Sequence, residues 1–235
     1  MKQDFFRNGL GARKDQGCSQ AKVVVAVSGR GQSLENFINK ERDFKNYKVC
    51  GVIASKRDCR AVDIAQKNEI PLYFNSFAGM AEAPSDLVDW LHDIGANWIA
   101  LAGFVHKFPT IFPAGSAWKY HIINIHPALL PHFGGKNMYG MRVHKTVLDS
   151  AQTHSGATVH YVDENYDTGS IISQIKVKVC SGESPASLAA RVFRAECELY
   201  PRTLSDLIKG SVPLPGGSVK WYDFSTQQEG REFAR

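Results

Sequence analysis

Lys22-Val23-Val24-Val25-Ala26-Val27-Ser28, closed by Gly29-Arg30-Gly31, decides how the rest of the sequence reads. After Lys22 the run is free of charge and rich in β-branched residues, so neither alternating face is polar. That is the pattern of a strand covered on both sides at the centre of a parallel sheet. The glycines mark a tight turn, and Ser33 then opens an apolar-periodic stretch with Leu34, Phe37 and Ile38, which predicts a helix directly behind the strand.

The same alternation continues downstream. The spacing predicts a strand at Tyr47–Ala54, a helix over Ala61–Glu69, a short strand at Pro71–Phe74, a helix over Ser85–Ile94, and strands at Trp98–Ala102 and His121–Ile125. From Pro127 to about Met141 the chain is rich in Pro and Gly without an apolar period, which predicts a structured loop. Strands at Ala157–Val162 and Ile171–Val179 flank the polar segment Asp163–Gly169, a long helix covers Ser187–Ile208, and a turn leads to a short strand at Val219–Tyr222. The expected fold is α/β: a single-domain, mostly parallel twisted sheet flanked by helices, Rossmann-like.

With 235 residues, 43% hydrophobic and 22% charged, the composition is that of one globular core and leaves little room for a second. No uncharged apolar run reaches the roughly 18–20 residues of a membrane span, so no membrane partner is expected. The net charge of +5 suits nucleic acid or a small anionic substrate equally. The basic residues form no cluster interleaved with aromatics, which argues against nucleic acid. Cys18, Cys50, Cys59, Cys180 and Cys197 are scattered, without zinc spacing, and read as reduced thiols of a cytoplasmic protein with no metal. Residues 1–20 carry charge throughout and are expected to be a disordered extension, with the folded domain over 21–209 and a turn, strand and tail over 210–235.

Three features invite chemistry. The turn Ser28–Ser33 precedes a helix N-terminus, where backbone N–H groups suit a phosphate. Leu34 stands where G-x-G-x-x-G needs its third glycine, so a plain strand-to-helix turn or a monophosphate site remain the alternatives. The second feature is Asn124-Ile125-His126, whose two polar side chains share one face at the carboxyl end of a strand, where open parallel sheets bind ligands. An amide donor beside an imidazole can stabilise an oxyanion while the ring handles a proton. Satisfied core residues explain the pattern equally well. The third is Asp163-Glu164-Asn165-Tyr166-Asp167, which reads as a solvated turn, a poor calcium loop, or the source of a carboxylate that orients His126. His160 reads as a hydrogen-bonded core histidine, and Met138, Tyr139 and Met141 as loop packing.

Taken in order, N-I-H-P-A-L-L-P at Asn124–Pro131, S-G-A-T-V-H at Ser155–His160 and Y-D-T-G at Tyr166–Gly169 resemble the formyltransferases that use 10-formyltetrahydrofolate. The likeness covers about Lys22 to Leu207 and is greatest to the branch that formylates glycinamide ribonucleotide in purine biosynthesis. The resemblance implies catalytic roles for Asn124, His126 and Asp167, with the folate as co-substrate and no metal. It implies folate contacts from Val105, His106, Lys107, Phe108, Asp163, Glu164 and Asn165. Gly29, Arg30, Gly31, Gln32 and Ser33 would hold the ribose phosphate, and Glu196 the glycinamide part. The expected partners are small molecules only, and the expected assembly a monomer or homodimer.

The chain departs from the family at Gln32-Ser33, where Ser-Asn is usual, and at Val105-His106-Lys107-Phe108, where Met-Arg-Ile-Leu is common. Its loop from Gly134 to His144 is longer than usual, with His144 aligned to a family histidine. A tRNA-binding barrel would not fit in the residues after Lys209, and the first 20 residues are too few for the regulatory domain of a formyltetrahydrofolate hydrolase. The hydrolase, a formyltransferase acting on sugar nucleotides, and an inactive folate-binding module remain the alternatives.

Overall fold

The computed structural model describes residues 20–110, 118, 120–212 and 218–223. The extension expected over residues 1–20 lies outside them, apart from Gln20, as does the tail beyond Asp223. Among the described residues the chain builds strands β1 (Ala21–Val27), β2 (Tyr47–Ala54), β3 (Leu72–Phe74), β4 (Trp98–Leu101), β5 (Ile122–His126), β6 (His154–Tyr161), β7 (Ile171–Lys178) and β8 (Lys220–Asp223). The helices are α1 (Gln32–Phe44), α2 (Arg60–Lys67), α3 (Ser85–Asp93), α4 (Met141–Asp149) and α5 (Pro185–Ile208).

The strands form one sheet in the order β3-β2-β1-β4-β5-β6-β7-β8. All neighbours are parallel except those of β6, which runs against both β5 and β7. The fold is therefore the expected single α/β domain on a mostly parallel sheet. Buried side chains of β1 alternate between two cores: Val23, Val25 and Val27 meet α1, α2 and α5, whereas Val24 and Ala26 meet Leu87 and Leu91 of α3. Strand β1 is thus covered on both faces, as its composition requires.

The chain runs from β1 outward to β3 and then returns to place β4 on the other side of β1. Between the carboxyl ends of β1 and β4 the topology reverses, and an open sheet binds ligands at such a point. Gly31 makes the turn out of β1 possible. Its φ is 69°, and a Cβ there would lie 2.8 Å from the Ala61 Cα of α2.

One helix falls outside the expected pattern. Helix α4 follows directly on the Gly-rich loop, and it buries Val143, His144 and Val147. Helix α5 begins, as a helix should, with a Ser184 side chain capping the Ser187 N–H and Pro185 in its first turn. The Tyr200 hydroxyl of α5 lies 3.0 Å from the carbonyls of both Leu101 and Ile123, which ties the helix to β4 and β5.

Candidate active site

The carboxyl ends of β1, β4 and β5 open into a cleft of about 590 Å³. Strand β5 runs one residue further than expected and carries both Asn124 and His126 to its floor. Just past His126 the chain is pinned from behind. The Thr158 hydroxyl donates to the Ala128 carbonyl at 2.7 Å and accepts from the Leu130 N–H at 3.0 Å, and Gln174 Nε2 donates to the Leu130 carbonyl at 2.9 Å. This network explains why the Ala-Leu-Leu-Pro run and the later Thr158 occur together.

Four side chains converge there. Nδ1 of His126 lies 3.3 Å from Oδ2 of Asp167, and Nε2 lies 2.7 Å from the Phe133 carbonyl. The Asn124 amide nitrogen lies 3.1 Å from His160 Nε2 and 3.5 Å from Asp167 Oδ1. Asp167 comes from the β6–β7 turn with φ of 58°, a left-handed conformation that Asp tolerates, and its Oδ2 accepts from the Gly135 N–H at 2.9 Å.

Proton positions follow from the acceptors. A carbonyl can only accept, so His160 Nδ1, 2.8 Å from the Tyr161 carbonyl, carries a hydrogen. In the neutral ring Nε2 is then the acceptor and takes one Asn124 N–H, while the other faces Asp167 Oδ1 at 3.5 Å, and the two contacts orient the amide. His160 Nε2 also stands 3.6 Å from Asp167 Oδ1, and both ring nitrogens of His126 face acceptors, which only its imidazolium satisfies together.

Burial opposes that charge most strongly and, with His160 adding to it, holds the His126 pKa below its usual value against the pull of Asp167 and the Phe133 carbonyl. Burial alone would raise the Asp167 carboxyl, yet His160, the His126 charge and the Gly135 N–H outweigh it and keep the carboxyl below its ordinary range. The site thus pairs an ionised carboxylate with an imidazole that gives up its proton readily.

Glu196, one turn before Tyr200, lines the same cleft. Burial pushes its carboxyl up to about 8. Of the turn after β1, Gly29 and Arg30 line the cleft, whereas Gly31, Gln32 and Ser33 stand behind them at the start of α1. Val105, His106, Lys107 and Phe108 form a wall with Phe104, and the Ser28 hydroxyl accepts from the Val105 N–H at 3.1 Å.

The acidic turn divides. Asp163 and Asn165 line the cleft, with the Asp163 carboxylate also accepting from the Asn165 N–H and the Thr168 hydroxyl. Glu164 is exposed and is not part of the lining, while Asp167 of the same turn reaches the floor. Met138 and Tyr139 line the cleft rather than serving only as loop packing, and His160 is both a bonded core residue and part of the floor. The sequence signal for His160 was its place in S-G-A-T-V-H, opposite Asn124 in the β5–β6 ladder.

Fold and cleft define a class: α/β proteins of the open-sheet kind that take small ligands at strand carboxyl ends beside a switch in topology. Within it, the chain belongs to the formyl transferase family, whose sequence profile matches residues 21–204. It is 39% identical over 184 residues to the chloroplastic phosphoribosylglycinamide formyltransferase of Arabidopsis thaliana, covering 76% of this chain and 62% of that one. Its counterpart from Vigna unguiculata is 36% identical over 204 residues, covering 82% and 65%. This chain therefore spans somewhat under two thirds of the length of either plant relative. The crystal structure of phosphoribosylglycinamide formyltransferase from Anaplasma phagocytophilum superposes with a TM-score of 0.73 at 26% identity, over 88% of this chain and all of the other.

Proposed function

We propose that the protein transfers the formyl group of 10-formyltetrahydrofolate to the amino group of glycinamide ribonucleotide, a step in the making of purines (IMP). The observation that carries this reading is the convergence of Asn124, His126 and Asp167 at one cleft floor in a chain of the formyl transferase family. The relatives named above support the choice of acceptor.

In this reading the acceptor amine attacks the formyl carbon with its lone pair, and the carbonyl π electrons move onto oxygen. Collapse breaks the bond from carbon to N10, and the proton shed by the amine ends on N10. Asn124 turns the N–H that faces Asp167 over a long 3.5 Å contact toward the oxygen as charge grows there, and a protonated His126 adds positive charge nearby. Asp167 fixes the ring and supports a water that carries the proton.

The roles of the surrounding residues follow their positions. Gly29, Arg30 and Gly31, with the N–H groups of Gln32 and Ser33, meet the ribose phosphate; the N-cap of α1 is Gly31, which has no side chain to cap it. Glu196 accepts from the amine or a hydroxyl of the ribonucleotide. Phe104, Val105 and Phe108 offer an apolar wall for a flat ring system, with His106, Lys107, Asp163 and Asn165 around it. A cleft of about 590 Å³ suits such a ligand.

The test is release of tetrahydrofolate from 10-formyltetrahydrofolate with and without glycinamide ribonucleotide. Release only with the ribonucleotide is expected. Release without it would assign a hydrolase, and none an inactive folate-binding module. We also place the protein in the cytosol as a monomer or homodimer. Cys50, Cys59, Cys180 and Cys197 are free thiols, which suits a reducing compartment, and no helix among the described residues is long and apolar enough to cross a membrane. The plant relatives are named chloroplastic, so cell fractionation decides the compartment and light scattering the assembly.

A further inference from the structure

The segment Phe133-Gly134-Gly135 touches both members of the imidazole and carboxylate pair through its main chain. The Phe133 carbonyl accepts from His126 Nε2 at 2.7 Å. Two residues on, the Gly135 N–H donates at 2.9 Å to Oδ2 of Asp167, the same oxygen that stands 3.3 Å from His126 Nδ1. Between these contacts Gly134 has no room for a side chain. A Cβ there would lie 2.5 Å from Leu130 Cδ2 and 3.1 Å from the Asp167 Cβ. Gly134 is not among the residues at positive φ, so only space demands glycine there, whereas at Gly135 φ is 100° and the surroundings are open.

We propose that Gly134 and Gly135 are positioning residues: their main chain sets the Asp167 carboxylate against the His126 ring, and the missing side chain at 134 is what lets the carboxylate come close. The inference rests on the function proposed above. Leu130 is buried and its main chain is held by Thr158 and Gln174, so its methyl groups can move only into packed surroundings. An added methyl group at 134 therefore presses on the Asp167 side chain as well as on Leu130. A shift of about 1 Å is enough to cost a site of this kind up to about 100-fold in rate.

The experiment compares the full chain with Gly134→Ala, Asp167→Asn and the double variant. Steady-state kinetics with 10-formyltetrahydrofolate and glycinamide ribonucleotide is combined with titration of the His126 ring followed by NMR. Gly134→Ala is expected to lose at least about tenfold in kcat with KM little changed. Its His126 is expected to titrate at lower pH than in the parent, because the carboxylate that favours the imidazolium has moved away. Added to Asp167→Asn, the glycine change is expected to cost nothing more. An unmoved His126 titration, or a double variant whose loss is the product of the two single ones, overturns the proposal.

Gly135→Ala serves as the second variant and covers a failure of Gly134→Ala to fold. Its methyl group meets nothing within 4 Å, but φ of 100° disfavours any L side chain, so the peptide turns and its N–H leaves Asp167. The same lowered His126 titration is expected, and an unchanged one overturns the proposal. Absence of turnover by the parent would sink the assigned reaction alone, since the titration reads the Asp167 contact without substrate.

Discussion

Asn124 and His160 are cross-strand partners in the β5–β6 ladder, and their side chains meet at 3.1 Å, amide nitrogen to ring Nε2. The Tyr161 carbonyl dictates which nitrogen of His160 carries hydrogen, so the amide of Asn124 is oriented two steps removed from the backbone. His160→Leu releases it. The expected result is a fall in kcat of about tenfold or more with smaller changes in KM, read by steady-state kinetics.

Asn124→Ala removes the donor itself. Loss of one oxyanion donor costs about 10²–10³ in rate, and the small change at a half-buried position leaves the fold intact. Near-parental turnover by a folded Asn124→Ala would dismiss Asn124 from the chemistry.

Glu196 reports on stability as well as binding. Its folded carboxyl holds its proton up to about 8, whereas the unfolded chain sheds it near 4.5, so the folded state loses stability as pH rises through that window. Glu196→Gln removes the loss. We expect a gain of about 1 kcal/mol or more at pH 8, some 2–4 °C in Tm, and no gain at pH 4, with KM for the ribonucleotide raised. An equal shift in Tm at both pH values would contradict a carboxyl whose pKa is raised by burial.

Ser28 links the two lips of the cleft through its bond to the Val105 N–H. Ser28→Ala leaves that N–H without its acceptor, at a cost of about 1 kcal/mol. Because the bond joins the proposed phosphate turn to the proposed folate wall, KM is expected to rise for both substrates. A rise for one alone would show that the lips move independently.

His144 is buried in α4, and its Nδ1 has no hydrogen-bond partner among the described residues. Burial and the nearby His126 hold its pKa below 6.5. The unfolded chain therefore takes up protons that the folded one refuses, and stability falls as pH drops below about 6.5. His144→Leu is expected to flatten urea-derived stability between pH 7 and pH 5. An unchanged slope would mean that His144 does not contribute to it.

Much of this arrangement was legible in the residues, for physical reasons that also mark the limits. Strand β2 is found at Tyr47–Ala54 as expected, because an uninterrupted apolar run between polar turns has one solution. Asn124 and His126 were placed on one face by strand periodicity alone. Helix α4 was missed because the Gly-rich segment before Met141 masks its start, and its nearest signal, Val143 and Val147 at a spacing of four, is short. Gly135 acts through its N–H, and a backbone donor leaves no trace in residue type. That Asp167 reaches the floor while Glu164 is exposed depends on the φ of Asp167, which no side chain in the motif announces.

The side chains proposed for the chemistry hang from β5, β6 and the turn into β7, while the residues proposed for recognition sit mainly on the turns after β1 and β4 and on α5. Substitutions at Gln32, Ser33 or His106 can accumulate without disturbing the bonds among Asn124, His126, His160 and Asp167. This division makes the scaffold evolvable: one reaction centre can be kept while its clientele is renegotiated, and a designer who wishes to change the acceptor has separate ground on which to work.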